Sequence, residues 1–281
     1  MWLESGLKYT TYTEFLPMAK IVRRNLSVRR TQTITPNMQR ITLGGEDLAD
    51  FPADKEGDYI KLIFPDFSWD SLEGHVEKLE SMNNGKPCLR TYTIRKQDTA
   101  AQELEIDFVL HGATGPASAW AMNAKVGDEI GISGPGAKKE INKNADWFFI
   151  AGDMTALPSI SVILESLPRD AKGYAVIDIV DELDRQNIDA PENIEIHWVV
   201  QSADQAPETL LSDKVRTLPF LAGQVSVWVA CEFSAMRELR QYFRNEHDVE
   251  RDYIYVSSYW KVGISEDKHK VVKRQDAEQA Q

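Results

Sequence analysis

Arg90-Thr91-Tyr92-Thr93 is the run in this chain with the clearest chemical content. It sets an aromatic ring beside a small hydroxyl, with a fixed cation two residues before the ring. Those groups match what a flavin requires: an aromatic neighbour for its ring system, a hydrogen-bond partner near its reactive nitrogen, and a positive charge for its phosphates. Further on, Gly115-Pro116-Ala117-Ser118 opens a predicted helix and offers backbone N–H groups to a pyrophosphate. Either piece alone also reads as ordinary structure, a strand with an exposed arginine or a turn before a helix. Together and in this order they point to a flavoenzyme.

Other segments carry candidate contacts. Glu103–His111 alternates, with Leu104, Ile106, Phe108 and Leu110 on one face. Asp107, Val109 and His111 lie on the other, where a cofactor is within reach. Gly152-Asp153-Met154-Thr155-Ala156-Leu157-Pro158 follows the apolar run Trp147–Ala151. A dinucleotide contact at Gly152, Asp153 and Thr155 competes there with a plain strand-to-helix turn. In the turn reading, Thr155 caps a helix running to about Leu167 and Pro158 fits its first turn.

Three lysines come from separate segments. Lys61 is on the strand face opposite Ile60, Leu62 and Phe64. Lys138 follows Ser133-Gly134-Pro135-Gly136, and Lys261 follows Trp260 at the end of the last predicted strand. Ligands of parallel sheets bind off the carboxyl ends of strands. Singly each lysine reads as a solvated charge; as a triad they read as a site for an anion. Arg237, Arg240 and Arg244 share a helix face opposite Met236, Leu239 and Phe243. Its default reading is a solvated face, and its sharper one a docking patch for an acidic electron-transfer protein.

The elements that position these groups fall into two halves. From about Val22 to Lys139, short alternating runs separated by Gly and Pro predict a β-sandwich or barrel, with one helix near Ser118–Ala124. From Trp147 onward, strands at Tyr174–Val180, Ile194–Val200, Val225–Cys231 and Asp252–Ser258 alternate with helices at about Pro207–Leu218 and Ser234–Glu246. That order predicts a parallel sheet with helices on both faces. The domain expectation is an N-terminal extension at 1–19, a β domain at 20–143, an α/β domain at 144–262 and a charged tail at 263–281, helical or frayed. Residues 67–87 read as an insertion at the cofactor mouth.

The 281-residue chain has a net charge of −12, with 42% hydrophobic and 27% charged residues. This composition is that of a globular protein and argues against a general nucleic-acid binder. No apolar run has membrane-spanning length, and no secretory signal is visible. Cys88 and Cys231 form no CxxC, and no His or carboxylate stands at ligand spacing from His111, so no metal site is expected. The expected setting is a reduced, cytoplasmic one.

In order, His111-Gly-Ala-Thr-Gly115-Pro116-Ala117-Ser118-Ala-Trp120-Ala121, Ser133-Gly134-Pro135-Gly136, Gly152–Pro158 and Tyr259-Trp260-Lys261-Val-Gly263 resemble the siderophore-interacting protein family, within the ferredoxin-reductase-like flavoproteins. The resemblance spans roughly residues 20–263. It implies an antiparallel FAD-binding β-barrel, then a parallel-sheet α/β domain of nucleotide-binding type. It also implies FAD-dependent reduction of ferric siderophores with release of Fe(II), and NADH or NADPH as electron donor.

Carried over to these residues, it places Arg90 on the FAD phosphates, Tyr92 against the isoalloxazine and Thr93 near its N5, with Thr91 between them. His111 and Gly115–Ser118 hold the pyrophosphate and adenosine, and Gly152, Asp153 and Thr155 lie where the nicotinamide docks. Met154 departs from the family's usual Glu, and Cys231-Glu232 from its Gly-Glu. The second departure sets Cys231 near the nicotinamide pocket. Asp181-Glu182-Leu183-Asp184 falls where a ribose 2′ position would lie, which predicts a weak preference for NADH.

Two other functions fit the same residues. One is an NAD(P)H-dependent flavin reductase that passes electrons to a protein partner. The other is a siderophore carrier in which flavin is structural. The partner expectation is a ferric siderophore, with a ferredoxin-like donor as an alternative source of electrons, no nucleic acid, no membrane, and a monomeric chain.

Overall fold

A computed structural model of the protein describes residues 23–64, 88–112, 115–201 and 207–279. The 1–19 extension and the 67–87 insertion lie outside the described residues. Six strands form a closed barrel in the order β1-β2-β5-β4-β3-β6. They are β1 (Arg23–Thr35), β2 (Met38–Gly44), β3 (Tyr59–Phe64), β4 (Cys88–Asp98), β5 (Glu103–Val109) and β6 (Glu129–Gly136). Alternation turns Ile60, Leu62 and Phe64 of β3 and Leu104, Ile106 and Phe108 of β5 into one buried core. Helix α1 (Pro116–Asn123) closes the barrel, with Trp120 in edge contact with Phe64.

Strand β4 pairs antiparallel with β3 over Cys88–Thr93, placing Lys61 opposite Thr91 and Tyr59 opposite Thr93. It joins β5 only from Ile94 onward. The Arg90–Thr93 segment is therefore left without a strand partner on one edge, and that edge faces the second domain.

The second domain is a five-stranded parallel sheet in the order β11-β10-β7-β8-β9. Its strands are β7 (Trp147–Asp153), β8 (Lys172–Ile179), β9 (Asn193–Val200), β10 (Val225–Glu232) and β11 (Ile254–Trp260). Every residue of β7 and β10 is buried, as their continuous apolar runs require of strands covered on both faces. Helix α2 (Leu157–Ser166) packs on one face with Ile150, Ala175 and Ile177. Helices α3 (Pro207–Thr217) and α4 (Phe233–Gln241) cover the other, with Leu211, Val215 and Leu239 against Trp147 and Phe149. The tail folds as helix α5 (Glu266–Gln279).

Three local expectations change. Thr155 does not cap α2: the N-cap is Ala156, and the Thr155 hydroxyl donates instead to Asp153 Oδ1 at 2.5 Å. The arginine face of α4 is not simply solvated. Arg240 forms a two-point pair with Asp276 of α5 at 2.6 and 3.0 Å, and Arg237 lies 3.4 Å from the same carboxylate. This face docks the chain's own last helix. Finally, Asp184 is not presented to a ribose. It is fully buried and accepts from Thr35 Oγ1 at 2.7 Å, Asn37 N at 3.0 Å and Asn37 Nδ2 at 2.8 Å.

Asp184 thereby ties the β1–β2 turn of the barrel to the α/β domain. Arg95 of β4 and Glu165 of α2 form a second tie, at 3.0 Å between Nη1 and Oε2. Met38 of β2 joins the α/β core. These ties fix the two domains across a cleft.

Candidate functional site

The cleft has a volume of about 810 Å³, within the range of cofactor and substrate pockets. Its barrel wall is the unpaired edge of β4 (Arg90, Thr91, Tyr92 and Thr93), with Asp107, Val109 and His111 beside it. Its other wall comes from α2, the end of β11 and the first turns of α5.

Each residue of the β4 motif is held from behind or across the cleft. The Tyr92 ring packs on Phe108 at 4.4 Å between centroids, and Phe108 on Trp120 at 5.6 Å. An aromatic column rooted in the barrel core thus fixes the ring that faces the cleft. Burial drives the Tyr92 hydroxyl far above its ordinary pKa, so it remains protonated. Thr93 Oγ1 lies 2.8 Å from Ser159 Oγ of α2. The Tyr259 hydroxyl interacts with Ser159 and Tyr255 in turn, and Tyr255 with Ser257. Lys273 Nζ donates to Ser257 Oγ at 2.6 Å. The hydroxyls of Thr93, Ser159, Tyr259, Tyr255 and Ser257 all line the cleft, with Lys273 of α5 at its far side.

Thr91 meets the second domain as well. Its N–H and hydroxyl donate to the two carboxylate oxygens of Glu266, at 3.1 and 2.9 Å. Arg90 donates to its neighbour's carbonyl and lies 3.8 Å from Asp267. Behind the wall, Arg40 holds Asp107 by two contacts at 2.6 and 2.8 Å, so this carboxylate is committed and buried.

The charge of the cleft opposes that of the chain. Arg90, Lys138, Lys139, Lys143, Lys270 and Lys273 line it against Asp107, Glu140 and Glu266, in a protein of net charge −12. A cationic recess in an acidic protein concentrates anions where the field is focused.

The loop at Gly115 lies outside the cleft lining and meets it through the His111 ring. Gly115 is the N-cap of α1 and Pro116 follows in its first turn, with no side-chain cap on the helix amides. Ser118 is buried, and its hydroxyl accepts from the His111 N–H at 3.1 Å. Ala117 is buried beneath the same turn. A Cβ placed on Gly115 would come within 3.2 Å of the exposed His111 ring, which would have to shift by a few tenths of an ångström. The uncapped amides of α1 suit a diphosphate, and the Tyr92 ring, hydroxyls, cations and volume of the cleft suit a flavin. The residues present fit FAD.

The nicotinamide-site candidates separate. Thr155 lines the cleft. Gly152 is buried within the sheet, where a Cβ would sit 2.5 Å from Ala230 O; it is required for close strand approach. Asp153 lines a second, small cavity at the carboxyl ends of the strands, with Asp178, Cys231, Glu232, Trp260 and Val262. There Asp153 accepts from Trp260 Nε1 at 2.7 Å and from Thr155 N at 2.9 Å. The Glu232 side chain caps α4. Burial raises the pKa of Asp153 and carries Asp178 to about 7, with Gln201 opposing the shift and Asp153 adding to it. Burial also keeps the Cys231 thiol protonated.

The three lysines are not gathered at one point. Lys138 lines the cleft and donates to Glu56 O at 2.9 Å. Tyr59 reaches over the turn before it: a Cβ on Gly136 would fall 2.1 Å from Tyr59 Cζ, which explains the glycine. Lys61 borders the cleft through Thr91 Oγ1 at 3.4 Å. Lys261 lies over the Phe233 ring at 4.6 Å, away from the cleft lining.

Sequence reasoning missed Ser159, Tyr255, Tyr259, Glu266, Lys270 and Lys273. The Glu266/Lys270 spacing in the tail was the available signal for α5; nothing local to Ser159 marks it. No group of His, Cys, Asp and Glu side chains suited to a metal occurs among the described residues. No described helix is long and apolar enough to cross a membrane.

Comparison with known proteins agrees with this geometry. Residues 27–139 match the siderophore-interacting FAD-binding domain, and residues 145–263 match the siderophore-interacting protein family. Ferric vibriobactin reductase ViuB of Vibrio cholerae is 36% identical over 252 residues, covering 88% of this chain and 93% of the relative. The NADPH-dependent ferric-chelate reductase of Escherichia coli K12 is 27% identical, covering 84% and 92%. The crystal structure of the siderophore-interacting protein SipS from Aeromonas hydrophila superposes with a TM-score of 0.78 at 30% identity, over 92% of this chain and 99% of that one. Ferredoxin-NADP+ reductase from Plasmodium falciparum, at 17% identity and a TM-score of 0.57 over 84% and 95%, shares the fold. With both halves matched and the flavin motif on the cleft between them, this chain belongs to the siderophore-interacting protein family.

Proposed function

We propose that the protein is an FAD-dependent reductase of ferric siderophores. The observation that carries this reading is the cationic cleft set against the Arg90–Thr93 edge in an otherwise acidic protein. Oxygen chelators stabilise Fe(III) far more than Fe(II), so one added electron loosens the complex. Bound FAD supplies that chemistry by taking two electrons from a donor and passing them on singly.

The chain's residues supply position and field. Arg90 and the α1 amides receive the phosphates, Tyr92 gives the ring a fixed face, and Thr93, oriented by Ser159, offers a hydroxyl at its edge. Asp107, Val109 and His111 border the same cofactor. Lys138, with Lys61 beside Thr91, draws an anionic ferric complex to the mouth. Lys261 contributes at longer range.

The electron donor in this reading is NADH or NADPH, approaching by Thr155 and the carboxyl ends of β7 and β10; the name of the Escherichia coli relative supports it. Asp276 engages Arg240 and approaches Arg237, which leaves less of that arginine face for a ferredoxin-like donor, the alternative source of electrons. The reading takes residues 20–143 and 144–262 as the two working domains, in a cytoplasmic monomer.

The test is turnover of a ferric catecholate by the purified protein with NADH or NADPH, with Fe(II) trapped by a ferrous-specific chelator. Fe(II) formation that requires both protein and FAD supports the reading. A yellow protein that binds the ferric complex without forming Fe(II) would make it a carrier and overturn the reading.

A further inference from the structure

We infer that Glu266 is an internal occupant of the donors on the flavin edge of β4, and that it must swing aside before FAD is fully seated. This rests on the FAD reading of the cleft. Both oxygens of Glu266 engage one residue of the motif, accepting from the N–H and hydroxyl of Thr91 at 3.1 and 2.9 Å, and Oε1 also lies 3.1 Å from Lys270 Nζ. That N–H belongs to the stretch of β4 without a partner strand on its cleft side. An unpaired backbone donor at a cleft is where a ligand acceptor docks, and here a carboxylate of the chain fills it. Asp267, the next residue, lies 3.8 Å from Arg90, the cation assigned to the phosphates. Two carboxylates of one helical turn thus stand on two adjacent anion-accepting groups.

The occupation is local. Beyond its first turn α5 is pinned by the Arg240–Asp276 pair, by Lys273 on Ser257 and Ser258, and by His269 Nε2 at 2.8 Å from Ser258 Oγ. Undocking the helix would break all of these. Rotating one side chain gives up the Thr91 contacts and re-aims the contact with Lys270. Lys270 already lies 3.1 Å from Glu266 and, four residues on, can keep the carboxylate once it leaves Thr91. Glu266 is thereby a switchable negative charge on a cleft that receives anions, and Lys270 its alternative partner.

The test is the equilibrium dissociation constant for FAD, read from free-flavin fluorescence on serial dilution of the holoprotein at low salt. Glu266→Gln and Glu266→Ala are expected to bind FAD more tightly by about three- to tenfold, the scale of one charge-assisted contact. The gain is expected to shrink at high salt, because screening is shorter-ranged there. Lys270→Met, which removes the alternative partner, is expected to weaken FAD binding. Unchanged or weaker FAD binding in both Glu266 variants, with the far-UV spectrum intact, would overturn the inference and leave the FAD reading standing. A protein that takes up no flavin at all would overturn the reading beneath it.

Discussion

The hydroxyls of Thr93 and Ser159 meet at 2.8 Å across the seam between the barrel and the α/β domain. Thr93 belongs to the flavin motif, and Ser159 is a buried residue of α2 that the motif alone does not reveal. Ser159 therefore sets the direction of the Thr93 hydroxyl, which in the proposed reading lies at the reactive edge of the ring.

Replacing Ser159 with Ala leaves Thr93 free to rotate. The expected result is full FAD content, a shifted visible spectrum, and slower reduction of the flavin by the nicotinamide donor. One hydrogen bond of about 1 kcal/mol corresponds to roughly fivefold in rate. Stopped-flow absorbance reads both effects, and an unchanged spectrum with an unchanged rate would remove Ser159 from the site.

Asp184 ties the domains from within. Burial alone would raise its pKa, but the hydrogen bonds from Thr35 and Asn37 outweigh this and lower it. A depressed carboxylate contributes stability above its unfolded pKa and loses it as pH falls through the folded value. Asp184→Ala strands buried donors at about 1–3 kcal/mol each. Urea unfolding at pH 7 is expected to show a loss of at least 2 kcal/mol, on the order of one to two stranded donors. The deficit relative to wild type is expected to narrow below pH 4.

Asp178 acts in the opposite sense. Its pKa of about 7, raised by burial beside Asp153, makes ionisation in the folded state unfavourable. Its contribution is harmless below its unfolded value, grows into a penalty as pH rises from about 4 towards 7, and is fully developed above 7. Asp178→Asn is expected to raise the melting temperature at pH 8 by several degrees, at about 2–4 °C per kcal/mol for a domain of this size. The gain is expected to fade near pH 5. A gain equal at both values would contradict the assignment.

The lysines are expected to differ. Lys138→Glu and Lys61→Glu should raise KM for an anionic ferric siderophore, each by roughly fivefold for a contact of about 1 kcal/mol. The effect should fall with salt, since screening acts over about 10 Å at 0.1 M. Lys261→Glu should act less, because its ammonium sits on the Phe233 ring and not on the cleft lining. Steady-state rates at two salt concentrations separate the three; equal, salt-insensitive KM values would make all of them surface charge.

Much of the fold was legible in the sequence because its signals are local. The alternation in Tyr59–Phe64 and Glu103–Val109, the apolar run at Trp147–Ala151 and the turn at Gly152–Pro158 each declare an element within a few residues. The β4 motif was legible for the same reason. What escaped depends on tertiary contact. Ser159 lines the cleft only because α2 crosses beneath Thr93, and Glu266 and Lys273 only because Asp276 fixes α5 on α4. Asp184 read as an exposed carboxylate because its partners, Thr35 and Asn37, lie about 150 residues away.

The central claim, electron delivery from this cleft to chelated iron, is tested most directly by one anaerobic experiment. The holoprotein is reduced with a stoichiometric donor, mixed with a ferric catecholate and a ferrous-specific chelator, and followed by absorbance. The account predicts that the yellow flavin spectrum returns as Fe(II) appears, with about two Fe(II) per flavin because FAD carries two electrons. A flavin that stays reduced in the presence of the ferric complex, with no Fe(II) trapped, would contradict it.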